Sequence, residues 1–160
     1  MNKNKKIMVV ILFFLTFSSL SIIKAEGNSN EIEFKTNLEE AFSLAKQNNK
    51  HVLVYFSGSD WCRPCMQLQL EVFESDEFVT FSKSNLIVVR LDFPAKEKNK
   101  LSDEQTAYNK KLAERLNKKG VFPYMILFDS AQKQLDEFSG YSRNGAKSFI
   151  EKLKSKMPNE

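Results

Sequence analysis

The chain is predicted to fold as an α/β domain, a central mixed β-sheet with helices on both faces. Three observations predict it. Residues 52–56 and 86–91 are almost continuously apolar and rich in β-branched or aromatic side chains, as strands covered on both sides are. Segments with apolar residues at helical spacing lie before, between and after these runs. Near the C-terminus, Asp129-Ser130-Ala131-Gln132 separates strand-like residues 124–128 from 134–138, a hairpin signal. Strands and helices in this order suit one mixed sheet.

Taken in order, Thr36-Asn37-Leu38-Glu39 has the form of a capping box, and Leu38, Ala41, Phe42 and Ala45 carry a first amphipathic helix to about Gln47. The strand 52–56 then leads into Ser59-Asp60-Trp61-Cys62-Arg63-Pro64-Cys65, which opens a second helix carrying Met66, Leu68, Leu70, Val72 and Phe73. Pro64 is tolerated only in the first turn, where its missing N–H leaves no helical bond unmade. A short helix over 76–83, the strand 86–91 and a stop at Phe93-Pro94 come next. After the charged stretch 95–101, Ser102-Asp103-Glu104-Gln105 is a second capping box, starting a helix through Ala107, Tyr108, Leu112, Ala113 and Leu116 that ends at Lys118-Lys119-Gly120. The last helix is expected over 144–156, with Ala146, Phe149, Ile150 and Leu153 on one face. No internal repeat or low-complexity block interrupts the pattern.

Residues 1–25 read as an export signal: Lys3, Lys5 and Lys6 form a basic n-region, an apolar h-region begins at Ile7, and Ala25 offers a small residue for cleavage. Thr16, Ser18, Ser19 and Ser21 thin the apolar run, which is short against the roughly 20 residues of a membrane span, leaving a retained N-terminal membrane anchor as the alternative. Cleavage yields one domain over 26–160, expected as a monomer in a periplasmic or extracellular location. Of the 24 basic residues, Lys3, Lys5, Lys6 and Lys24 precede Glu26, leaving 20 against 20 acidic ones. A neutral mature domain has no charge-based case for nucleic acid or an anionic membrane as partner. The lysines of 95–101 are interspersed with acids and read as a solvated loop, with partner docking as the alternative.

Cys62 and Cys65 are the two cysteines of the chain. Three residues apart at the head of a helix, they share a face and a disulfide can close between them. A bridge across so small a loop restrains little of the unfolded chain, which argues against a structural staple. Structural zinc requires four ligands, whereas two cysteines and one histidine, His51, are present, so no metal is expected. A cysteine hydrolase would need His51 as its base, and His51 stands away from the cysteines at the start of a strand. Dithiol-disulfide exchange remains. A thiolate at a helix N-terminus is stabilised by unpaired N–H groups and the dipole, so Cys62 is the expected nucleophile and Cys65 the resolving thiol. Arg63 adds positive charge beside that thiolate, or is simply an exposed loop residue. Asp60 is read either as a cap of the helix or as a proton partner of Cys65.

These motifs resemble the thioredoxin-like family, and within it exported Dsb-type thiol-disulfide oxidoreductases of the DsbH-like and DsbD C-terminal-domain-like kind. The resemblance covers most of the mature chain and rests on the run from Phe56 to Cys65, on Val72-Phe73-Glu74-Ser75-Asp76-Glu77, on Leu91-Asp92-Phe93-Pro94 and on Gly120-Val121-Phe122-Pro123. It implies a thioredoxin-like fold, a cis-proline at Pro123, and substrate contacts from Trp61, Phe122, Pro123 and Gly140, with Asp60, Arg63 and Pro64 tuning the pair. It also implies that the redox-active disulfide serves in place of a cofactor, that substrates are protein or peptide disulfides and dithiols, and that a membrane partner delivers electrons. A reductase is the favoured activity. Isomerase, oxidase, or a binding or holdase module with an inert disulfide are the alternatives. Two departures matter. The family's buried aspartate before the motif is missing, because this strand reads Val54-Tyr55-Phe56, which leaves water or Asp60 to handle the proton of Cys65. The charged stretch 95–101 is longer than a compact thioredoxin needs there.

Overall fold

The computed structural model describes residues 31–157, so the export signal lies outside the described residues. Four strands form one sheet in the order β2-β1-β3-β4, with β1 at His51–Ser57, β2 at Leu86–Asp92, β3 at Tyr124–Phe128 and β4 at Gln134–Ser139. β1 and β2 run parallel, while β3 is antiparallel to both β1 and β4. Parallel neighbours need a long crossover. Here it is helical, built from α2 (Arg63–Leu68), its continuation over 69–73 and α3 (Asp76–Asn85). The remaining helices are α1 (Leu38–Asn48), α4 (Asp103–Leu116) and α5 (Gly145–Lys154). This is the expected mixed sheet with helices on both faces.

The period-two geometry of a strand divides the apolar run of β1 between two cores. Leu53 and Tyr55 face the cluster of Leu68, Val72, Phe73, Phe78 and Phe149, which also contains both cysteines. Val52, Val54 and Phe56 face the opposite cluster, with Leu38, Ala41 and Ala45 of α1 and Leu112 of α4. Burial on both faces is the reason the strand carries no polar alternation.

Local chemistry moves several boundaries. The N-cap of α1 is Asn37, not Thr36: Asn37 is extended, its Oδ1 accepts the Glu40 N–H at 2.8 Å, and Leu38 is already helical and buried. Ser102 caps α4 as expected, accepting the Gln105 N–H at 3.1 Å. The Gln105 amide does not close that box; it donates instead to the Thr36 carbonyl and to Asn109 Oδ1. The expected end of α4 at 118–120 is corrected to Leu116, because the Asn117 side chain donates to the Val121 carbonyl and accepts the Val121 N–H, bracketing a turn.

The helix after the cysteines is not uniform either. At Gln69–Phe73 it widens into a π-turn in which the Glu74 N–H reaches the Gln69 carbonyl at 3.0 Å. Leu68, Val72 and Phe73 are all buried, and Phe73 lies five positions from Leu68, off the face an α-helix would bury. The extra residue per turn brings both onto the core side. Met66 and Leu70, expected among the apolar positions of this helix, lie off that face and are exposed, Leu70 by 65%.

Candidate active site

Cys62 and Cys65 form a disulfide with Cα atoms 5.2 Å apart. Cys62 is itself the N-cap of α2. Its backbone is extended and its Sγ accepts the Cys65 N–H at 3.3 Å, so a sulfur takes the place that a serine or aspartate oxygen usually fills. The preceding turn is closed by the Cys62 N–H on the Gly58 carbonyl at 2.9 Å, and α2 begins with the Met66 N–H on the Cys62 carbonyl at 3.1 Å. Pro64 sits in the first turn, as its missing N–H requires. Arg63 and Pro64 are exposed, whereas Cys62 is 4% and Cys65 1% exposed.

Asp60 does not cap the helix. Both of its oxygens turn to the segment after β2, accepting from the Ala95 N–H at 2.8 Å, the Lys96 N–H at 3.0 Å and Asn99 Nδ2 at 2.8 Å. The Ala95 N–H is the main cause that holds the Asp60 carboxyl below its ordinary pKa. With its acceptors committed there, Asp60 is not placed to serve Cys65. The stretch 95–101 is solvent-exposed over 95–100, as expected of a solvated loop, and it carries a short 3-10 turn, Glu97–Asn99, tied to the active-site turn through Asp60. Ser59 adds a second anchor by donating its N–H and hydroxyl to Asp92.

Trp61 is 48% exposed and is held by its indole N–H on the Phe93 carbonyl at 2.6 Å and by edge contact with Phe122 at 5.3 Å. Phe93 also meets Phe122 edge-on, at 5.4 Å, completing an aromatic trio. A Cβ at Gly58 would run into the indole, which explains glycine there. Phe122 packs against the cluster that holds the cysteines, and the Phe122–Pro123 bond is cis. The Pro123 carbonyl accepts the Gly140 N–H at 2.8 Å, where Gly140 has φ +72°, a conformation that disfavours a side chain. The structure therefore links Trp61, Cys62, Phe122, Pro123 and Gly140 through contacts around one end of the sheet. His51 begins β1, six residues from Ser57 and so about 20 Å along the strand, which removes it as a base for either thiol.

Sequence reasoning passed over Phe93, Tyr55 and Arg90 as members of this site. Tyr55 is buried, donates a long 3.4 Å hydrogen bond to the Cys65 carbonyl, and pairs in register with Arg90 of β2. Burial pushes its phenol up to about 12. A phenol and a guanidinium inside otherwise apolar strands were the available signal.

Comparison with known proteins agrees with this geometry. A family model for a thioredoxin-like domain matches residues 38–155. The chain is 34% identical over 118 residues to the disulfide bond reductase DsbH of Chlamydia pneumoniae, covering 74% of this chain and 69% of that protein. Against the thioredoxin-related protein DsbJ of the same organism it is 31% identical over 91 residues, covering 57% of this chain but 26% of DsbJ. Among solved structures, a DsbH oxidoreductase superposes with a TM-score of 0.70 at 32% identity, over 78% of this chain and 83% of that one. The oxidised DsbD C-terminal domain of Neisseria meningitidis gives a TM-score of 0.51 at 17% identity, over 74% and 91%, and so speaks to the fold alone. With its paired cysteines at the start of α2, the chain belongs to the thioredoxin-like family, among the Dsb-type disulfide oxidoreductases.

Proposed function

We propose that this chain is an exported protein-disulfide reductase. Thiol-disulfide exchange is supported most by the position of Cys62, whose sulfur caps α2 and accepts a backbone N–H, the environment that stabilises a thiolate nucleophile. In the reduced protein the Cys62 thiolate attacks a substrate disulfide, forming a mixed disulfide and expelling one substrate thiolate. The Cys65 thiolate then attacks the Cys62 sulfur, closing Cys62–Cys65 and releasing the second. Two electrons pass from the pair to the substrate, and the pair itself is the redox group, with no organic cofactor or metal in the cycle.

The reductive direction is supported by the similarity to a protein named a disulfide bond reductase. In this reading Trp61, Phe122, Pro123 and Gly140 border the extended substrate segment, Arg63 favours the Cys62 thiolate, Pro64 fixes the first turn, and Asp60 holds the turn that carries Trp61. The domain acts as a monomer outside the cytoplasm after loss of 1–25, recharged by a membrane-bound dithiol donor. Among the described residues no helix is long and apolar enough to cross a membrane, so an anchor would have to lie elsewhere in the chain. Two assays test the proposal. The mature protein should accelerate insulin reduction by dithiothreitol, and Cys65→Ser should accumulate mixed disulfides through Cys62. Inactivity in the first with no trapping in the second would leave an inert disulfide on a binding module.

A further inference from the structure

With Asp60 committed elsewhere and no acid in β1, Cys65 needs another route for its proton. On the face of the sheet that carries α2, a cleft of about 240 Å³ is lined by Tyr55, Ser57, Cys65, Gln69, Leu70 and Arg90 among others. Cys62 does not line it. The volume exceeds the ~30 Å³ that one water occupies several-fold, and the lining supplies the hydrogen-bonding partners that a water needs. Its rim includes exposed Leu70. Arg90 is fixed beside Tyr55 by the parallel register of β1 and β2 and by stacking over the Phe34 ring at 4.5 Å.

We propose that this cleft is the proton exit of the resolving cysteine: Cys65 loses its proton to water held there, with Tyr55 and Arg90 as positioning residues that orient the water and favour the thiolate. The role rests on the exchange chemistry proposed above. Cys65 S–H gives its proton through the cleft to solvent. The resulting thiolate bonds to the Cys62 sulfur, the Cys62–substrate S–S bond breaks, and the electron pair leaves with the substrate sulfur. Tyr55 is not the base. Its raised pKa keeps the phenol protonated at neutral pH, where it donates to the Cys65 carbonyl and faces the cleft. The charged groups that act on Tyr55 are Arg90 and, held by Ser59, Asp92 from β2.

The test is stopped-flow reaction of the reduced protein with dithiobis-nitrobenzoate, across a range of pH. The first thionitrobenzoate released reports attack by Cys62, and the second reports resolution by Cys65. Arg90→Met should displace the pH profile of the second release upward by about one unit, roughly tenfold slower at neutral pH, while leaving the first release unchanged. Tyr55→Phe should shift it in the same direction by less, and Arg90→Lys should restore most of the wild-type profile. Profiles of the second release that superimpose on wild type, or that drop uniformly without displacement, would overturn the assignment of the cleft. Absence of any second release from the wild-type protein would overturn the oxidoreductase reading itself.

Discussion

Cys62 does two things at once: it is the reactive sulfur and the cap of its own helix. With the cap supplied by Cys62, the first turn of α2 carries Arg63 and Pro64 exposed. The Cys62–Cys65 bridge and the place of Pro64 in the first turn were legible from the run of residues, because spacing and proline chemistry act locally. Asp60 was not, because its partners at Ala95, Lys96 and Asn99 are some 35 or more positions away. Asp60→Ala should release that segment, so amide exchange at Ala95 and Lys96 should accelerate while that of β1 is unchanged. The pH dependence follows from the depressed Asp60 pKa. Protection at Ala95 and Lys96 should be complete above the ordinary aspartate range and fall as pH drops through the folded value, a dependence absent from Asp60→Ala. Protection that persists in the variant would assign the anchoring to Ser59 and Asp92 alone.

Elements were easier to foresee than their ends. The apolar period placed α1, β1, β2, β3 and α5, yet the π-turn of Gln69–Phe73 depends on which side chains the core accepts, and no local pattern announces that. The Lys35 strand-like bridge to β2, with N–H to the Val88 carbonyl and carbonyl to the Arg90 N–H at 2.8 Å each, was invisible for the same reason. α1 and α4 meet through Tyr108, whose hydroxyl accepts the Leu38 N–H at 2.7 Å and donates to Glu39. Tyr108→Phe leaves that N–H unpaired and should cost about 1 kcal/mol in denaturant unfolding, the exposed carboxylate adding little. The Tyr108 hydrogen bond is the main cause that lowers the Glu39 pKa. Its contribution is therefore present above the ordinary glutamate range and lost as pH falls through the folded value, so the gap between wild type and variant should narrow on acidification. A gap that widens in acid would contradict this assignment.

At the scale of the whole molecule, one sheet serves two cores, and the cysteines belong to only one of them. Leu53 represents the cysteine side and Leu112 the other. Leu53→Ala and Leu112→Ala should each lose about 2–5 kcal/mol, and because β1 is shared, each should unfold in one transition that is the same by fluorescence and by circular dichroism. Two separable transitions would mean that the cores are independent. The fold class was legible because continuous apolar strands imply cover on both faces, whereas the cleft beside Cys65 arises only when β1, β2 and the π-turn come together. The direction of electron flow tests the central claim most directly. Equilibrated with glutathione, the Cys62–Cys65 pair should show a reduction potential near thioredoxin's, about −270 mV. A value near the DsbA figure of about −120 mV would contradict a reductase and make this pair a donor of disulfides.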